Sequence, residues 1–452
     1  MSDKISRAFQ AFLGDSGRND KRDAIVIYRS PEPKKLPRGD RLRERGERLK
    51  YVQERARLQR PIGEKVLETY QEAGSERLRG RGELEVATIG KSVLPVATVE
   101  VTRGTLLTLA QQPNVVAVLP NQRIKLISPQ RVNYEELGTQ ESKSAMTWGL
   151  ERLDIQQMWN TTQGENINVA VLDTGVYSEH EALEGRVQDF VLIDPLGRRI
   201  SAMPAFDCGQ HGTHVCGTIA GRFTPAGVAI GVAPLSNLLV AGVLIGDATL
   251  RTLLEGLSWA VEKGADVINM SLGFSYYEPL FGRVFDLLIE QYGVLPVVAM
   301  GNESHGNSSS PGNTYSAFSV GALEKLPTPS NRVEVCFFSS GASLVFPGQD
   351  SHALVTKPDV VAPGAQVYSC IPPEKRSDGT YAYSYMDGTS MATPHVAGAA
   401  ALLMAARPEA PVGDIIQALK ETAEHPGGDS RRPDNRWGYG LIRPVEALAA
   451  LS

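Results

Sequence analysis

Gly388-Thr389-Ser390-Met391-Ala392-Thr393-Pro394-His395 is a small-residue turn that carries one serine into an apolar run reaching about Ala406. A serine hydroxyl attacks a carbonyl only with a base beside it and donors for the oxyanion that forms. A helix N-terminus offers such donors, because its first amide N–H groups have no partner inside the helix. Standing alone, Ser390 reads as readily as a helix N-cap.

Three further motifs bear on the choice. The apolar run Ile167 to Leu172 passes straight into Asp173-Thr174-Gly175, placing a carboxylate at a strand's end. His211-Gly212-Thr213-His214 opens a small-residue helix, Val215 to Ala220, and the run Val294 to Met300 ends in Gly301-Asn302, whose carboxamide is a donor. An orienting acid, a base, a nucleophile and an oxyanion donor together make acyl transfer. Singly, Asp173, His211 and Asn302 read as turn or loop residues; jointly, all four stand at element ends of one segment.

The elements that must position them begin near residue 148. Apolar runs Ile167 to Leu172, Leu238 to Ile245, Val267 to Met270 and Val294 to Met300 alternate with helical segments, notably Thr249 to Lys263 and Leu280 to Gln291. Continuous apolar strands separated by helices predict an α/β fold, a mostly parallel sheet covered on both faces. In such sheets ligands gather at the carboxyl ends of the strands.

Before residue 148 the texture differs. A strand, Ala24 to Tyr28, precedes a charged helical stretch from about Asp40 to Ala73, with Leu42, Leu49, Val52, Leu58, Val66 and Leu67 at helical spacing and Pro61 interrupting it. Strands at Leu84 to Ile89 and Leu94 to Val101, a helix at Thr105 to Gln111 and a strand at Val115 to Leu119 complete a βαββαβ order, that of a small α+β ferredoxin-like unit. The division expected is 1–126 for this unit, 127–147 for a polar linker, and 148–452 for the α/β domain. Lys34 to Arg60 carries eleven basic residues against four acidic ones. A solvated helix face is the commoner explanation, a docking face for an acidic partner the sharper one.

Lys+Arg 46 against Asp+Glu 51 leaves net charge −5, so no global basic excess points to nucleic acid. No apolar stretch approaches bilayer length, so a cytoplasmic protein without a membrane partner is expected. Cys208, Cys216, Cys336 and Cys370 are too few for a disulfide framework and fit no zinc spacing, so free thiols are expected.

The quoted residues resemble the subtilisin-like serine proteases, the subtilases: VAVLDTGV around Asp173, HGTHVCGT around His211, NMSLG from Asn269 to Gly273, VVAMGN ending in Asn302, and GTSMATPHVAG around Ser390. The order Asp, His, Ser is also that of subtilisin. The resemblance covers about Trp148 to Leu451 and implies an endopeptidase with catalytic Asp173, His211 and Ser390 and oxyanion donor Asn302. It implies that Ser271, Leu272 and Gly273 form an edge to which a peptide or protein substrate adds as a β-strand. Phe274 stands where many relatives have Gly, and the stretch after Asn302 is shorter; both touch the pocket for the residue before the scissile bond, whose preference stays open.

Ala182 stands about where the family often has a calcium-binding carboxylate, and Arg222 to Gly227 lacks the usual ligands, so no metal and no cofactor is expected. The first 130 residues or so resemble the family's inhibitory propeptide, an intramolecular inhibitor whose trailing segment would lie in the active site; a cut, if made, would fall between about Ile127 and Met146. Regulated intracellular processing is the role expected. A constitutive degradative protease and a catalytically silent binding or scaffold protein are the alternatives. An α/β-hydrolase fits less well, because G-T-S-M-A lacks the G-x-S-x-G elbow.

Overall fold

The computed structural model describes residues 3–15, 17, 20–31, 45–77, 86–129, 145–274, 277–278, 281–326, 332–345, 354–373 and 382–451. They cluster into two compact units, one of residues 1–124 with 193–198 and 246–264, the other of 125–192, 199–245 and 265–452.

In the first unit, strands β1 (Arg22–Tyr28), β2 (Val86–Thr88), β3 (Val96–Val101) and β4 (Val115–Pro120) form one antiparallel sheet in the order β2-β3-β1-β4. With the helices Arg45–Arg77 and Arg103–Gln111 between them, the order is βαββαβ. Ala24, Val26, Val99, Leu106, Leu109 and Val118 fill the core. Thr102 caps the second helix, exchanging bonds with Thr105 in a capping box.

Pro61 does not interrupt the first helix, contrary to the sequence expectation: Arg45–Arg77 is one element with Pro61 inside it. Proline costs a helix about 3 kcal/mol, and tertiary contacts on either side of it offset that loss. Before it, buried Gln59 donates to the Ser92 and Val93 carbonyls at 2.8 and 2.9 Å. After it, the Tyr70 hydroxyl donates to the Glu100 carbonyl at 2.7 Å. Leu58, counted above among the apolar positions, is 53% exposed. The buried positions are Val52, Arg55, Gln59, Gly63, Val66 and Tyr70, of which Arg55 and Gln59 have polar or charged side chains. Of the basic cluster, Lys34, Lys35, Arg38, Arg41 and Arg43 lie outside the described residues, Arg55 is buried, and Lys50, Arg57 and Arg60 are exposed.

In the second unit, a two-residue strand β5 (Lys125–Leu126) precedes the nine-stranded sheet built around β6 (Asn168–Asp173). Its members β7 (Val187–Ile193), β8 (Arg199–Ile200), β9 (Asn237–Gly242) and β10 (Val267–Met270) follow, then the short strand β11 (Leu272–Gly273). β12 (Leu295–Ala299), β13 (Phe318–Lys325) and β14 (Val333–Val335) complete the path β14-β13-β12-β10-β6-β9-β7-β8. The hairpin β15 (Ala342–Val345)–β16 (Leu354–Lys357) leads to β17 (Val360–Pro363), which pairs with β13, and β18 (Val367–Ile371)–β19 (Ala382–Met386) is a second hairpin. The pairs β7-β9, β9-β6, β6-β10, β10-β12 and β12-β13 are parallel, and β14 runs antiparallel to β13. This is the α/β architecture expected, a mostly parallel sheet with helices. No helix among the described residues is long and apolar enough to cross a membrane.

Lys357 is 1% exposed and donates to the Ala317 carbonyl and to Asp359 Oδ2, each at 2.7 Å. Burial pulls the Lys357 ammonium below its usual range, with Asp359 partly opposing. Burial would raise Asp359, but Lys357 and Lys420 outweigh it and hold that carboxyl below its usual range. Lys357→Met leaves Asp359 buried with one cation fewer, and is expected to cost about 3–5 kcal/mol, read as a lower urea midpoint; an unchanged midpoint would show that Lys420 alone suffices.

Candidate active site

Asp173 ends β6 between β9 and β10, fully buried. Its carbonyl accepts the Val243 and Leu244 amides, which fixes the strand's end. Its Oδ1 accepts the Thr174 N–H at 2.7 Å and faces His211 Nδ1 at 2.8 Å. That contact requires Nδ1 to carry the proton, leaving Nε2 as the basic nitrogen.

His211 is the first residue of its helix, His211–Ala220, which therefore begins earlier than expected. Thr174 Oγ1 accepts the Gly212 N–H at 3.0 Å and donates to Asp207 Oδ1 at 2.7 Å, while Asp207 Oδ2 accepts from Thr213 N and Oγ1. These bonds tie the turn after Asp173 to the helix that carries His211. A Cβ at Gly212 would stand 2.1 Å from the Gly175 carbonyl oxygen, so only glycine allows this approach.

Ser390 is the second residue of the helix Thr389–Ala406, whose N-cap is Gly388. The N-cap reading of Ser390 is thereby corrected: its side chain is not spent on capping. Four residues on, Pro394 has no N–H to give the Ser390 carbonyl, and the Ser271 hydroxyl donates there instead, at 3.1 Å. Asn302 is held by Thr389, whose N–H and Oγ1 both donate to Asn302 Oδ1 at 2.9 Å. This turns Nδ2 toward the serine side of the site. Thr389 lay within the serine motif, but nothing in its residue type marked it as the anchor of an amide far away in sequence.

The site contains part of the chain itself. β5 pairs antiparallel with β11, Leu126 opposite Leu272 and Lys125 opposite Gly273. The Ile127 N–H donates to the Ser271 carbonyl at 3.4 Å. Ser390 Oγ donates to the Ile127 carbonyl at 2.8 Å, and Asn302 Nδ2 to the Ser128 carbonyl at 3.0 Å. His211 Nε2, buried, has no hydrogen-bond partner among the described residues. Of the residues singled out from sequence, Ser390, Asn302 and the edge Ser271-Leu272-Gly273 border this strand, Asp173 and His211 form a hydrogen-bonded pair, and the helices that carry His211 and Ser390 pack against one another. Ile127 and Ser128 carried no sequence signal beyond their position in the linker, most of which (130–144) lies outside the described residues.

Residues 164–440 match the subtilase family. This chain belongs to that family. Subtilisin E of Bacillus subtilis (strain 168) is 35% identical over 294 residues, 63% of this chain and 66% of that protein. Subtilisin Savinase of Lederbergia lenta is 34% identical over 307 residues, 67% of this chain and 98% of that protein. Fervidolysin of Fervidobacterium pennivorans is 32% identical over 373 residues. Its crystal structure, described as that of a keratinolytic enzyme related to subtilisin, aligns with TM-score 0.65 and 25% identity. The alignment covers 95% of this chain and 61% of that one. The chain thus spans just under two thirds of several of the relatives it matches.

At the subtilase calcium position, Ala182 is buried and its carbonyl accepts the Arg222 N–H at 2.9 Å. No group of three or more His, Cys, Asp or Glu among the described residues could hold a metal ion. All four cysteines are free, and burial raises each thiol above its usual range.

Two other motif histidines are buried and neutral. Burial, then the neighbouring His211, lowers His214 from 6.5 to about 3, against the Val367 and Ser384 carbonyls that accept from its Nε2. Burial lowers His395 to about 4, against the Met391 carbonyl at 2.8 Å. In the unfolded chain both take a proton near 6.5, so acidification favours the unfolded state. Their contribution is complete above about pH 6.5 and is lost as pH falls toward about 4 for His395 and about 3 for His214, at about 1.4 kcal/mol per unit for each group. Urea midpoints at pH 7, 6 and 5 should fall in that order, and His395→Asn should flatten the slope; an equal slope in the variant would remove His395 from this account.

Proposed function

We propose that this subtilase is a serine endopeptidase restrained by its own N-terminal region. The observation that carries the reading is that Ser390 and Asn302 both meet carbonyls of an added strand, while His211, paired with Asp173, opens a helix packed against the serine's own. Relatives named as subtilisins support it.

In the reaction, Ser390 Oγ bonds to the substrate's carbonyl carbon as His211 Nε2 takes the hydroxyl proton. Asp173 keeps the imidazole in its Nδ1–H tautomer and stabilises the charged ring. The oxyanion is met by Asn302 Nδ2 and the Ser390 N–H, an amide in the first turn of its helix. Collapse breaks the C–N bond, and the amine leaves with the proton from His211. Water then attacks the Ser390 ester by the same route and releases the acid.

The restraint rests on a mismatch at the site. The Ile127 carbonyl meets the nucleophile, but the Asn302 amide is taken by the next carbonyl, that of Ser128. The oxyanion donor is one residue out of step, the Ser390 hydroxyl is spent on the Ile127 carbonyl, and His211 Nε2 has no hydrogen-bond partner among the described residues. In this reading residues 1–126 are the propeptide-like inhibitor, and any cut falls in 127–147. The setting we propose is cytoplasmic, regulated processing, which four free thiols suit; immunoblots of fractionated cells check it.

A fluorophosphonate probe should label the wild-type chain and not Ser390→Ala. Asn302→Leu should lower turnover by about 10²–10³, a magnitude known for subtilisin itself rather than derived for this chain. A wild type that takes no probe would falsify the reading in favour of a silent scaffold. An acidic activating partner at the exposed Lys50, Arg57 and Arg60 is a further part of the proposal. Reversing those three to Glu should abolish activation by polyglutamate; retained activation would remove the helix from that role.

A further inference from the structure

The strand held in the site reports which side chain the site accepts. Lys125 opposite Gly273, Leu126 opposite Leu272 and the Ile127 N–H on the Ser271 carbonyl fix its register. The carbonyl that meets Ser390 is that of Ile127, so the Ile127 side chain sits where the residue before a scissile bond would. It is 6% exposed, whereas Lys125 and Ser128 on either side are open to water.

The walls of its slot are identifiable. A Cβ added to Gly273 would stand 3.4 Å from Ile127 Cδ1, 3.4 Å from Ser309 Cβ and 2.8 Å from the Ser310 carbonyl oxygen. The isoleucine tip therefore lies against bare Gly273 backbone, beside Ser309. Ser309 is itself held, its hydroxyl donating to Glu303 Oε2 at 3.0 Å. One residue beyond Gly273 the two walls join: the Phe274 N–H donates to the Ser310 carbonyl at 2.7 Å, and the Ser310 N–H to the Phe274 carbonyl at 3.1 Å. Backbones bonded in this way lie about 4.8 Å apart, which leaves no room for a side chain between them.

Resting on the peptidase reading, we infer that this subtilase cleaves after aliphatic residues of valine to isoleucine or leucine size. The Phe274–Ser310 rung stops a longer aromatic or basic side chain from seating. One methylene more or less in an apolar pocket shifts selectivity by about 10–200-fold, so the discrimination is measurable.

The test uses the full chain and its Ile127→Lys and Ile127→Phe variants. Internally quenched peptides differing only in the residue before the cut (Val, Ile, Leu, Phe, Lys) are offered to the wild type and to Ile127→Lys, with fluorophosphonate labelling of Ser390 followed in parallel. Val, Ile and Leu peptides are expected to exceed Phe and Lys peptides by about tenfold or more in kcat/KM. Both variants are expected to label faster than wild type, because their side chains do not seat. Phe or Lys peptides cleaved as well as Ile, or variants labelled no faster than wild type, would overturn the inference while leaving the peptidase reading intact. Absence of labelling in every form would overturn both.

Discussion

A carboxylate with no access to water, Asp173, faces an imidazole at 2.8 Å, and the arrangement of the site follows from that placement. Burying a charge costs several kcal/mol unless bonds replace its water. Here the replacement reaches only Oδ1, from the Thr174 N–H and the His211 ring, while the buried Oδ2 has no partner among the described residues. Parallel neighbours on both sides hold the strand's end, and the Thr174–Asp207–Thr213 bonds hold the histidine helix to it. A loose loop could carry the same residue types but could not keep this distance.

The serine side follows a different logic, in which an absent donor matters. Pro394 leaves the Ser390 carbonyl without its helical N–H, and the Ser271 hydroxyl takes that acceptor. The edge strand that pairs with β5 is thereby joined to Ser390's own peptide unit. Thr389, one residue before the serine, holds the Asn302 carboxamide from the other side. Three segments distant in sequence are thus set against one another by side chains of only a few atoms.

Much of this was legible in the sequence because it is local. A strand running into Asp173, a helix opening at His211 and a turn into Ser390 are each written in adjacent residues, and alternating apolar runs and helices announce a parallel sheet. The N-terminal element order was legible for the same reason. What escaped depends on distant partners. Leu58 looked like a core residue and is exposed, while Arg55 and Gln59 are buried because Ser30, Pro31, Ser92 and Val93 supply their bonds. Pro61 looked like a break, yet the helix runs through it. Lys357 gave no hint of burial, since its carbonyl partner lies on another segment, and Ile127 read only as linker.

The strand seated on β11 is part of the molecule it occupies. A tethered occupant competes at an effective concentration set by its linker, often millimolar, rather than by the amount of protein in solution. Dilution therefore does not empty the site while the chain is continuous. Once the chain is cut within 127–147, the same contacts become bimolecular, and occupancy falls with dilution. Chain continuity, rather than any single contact, sets whether the occupied state is a constant of the molecule or a function of its abundance.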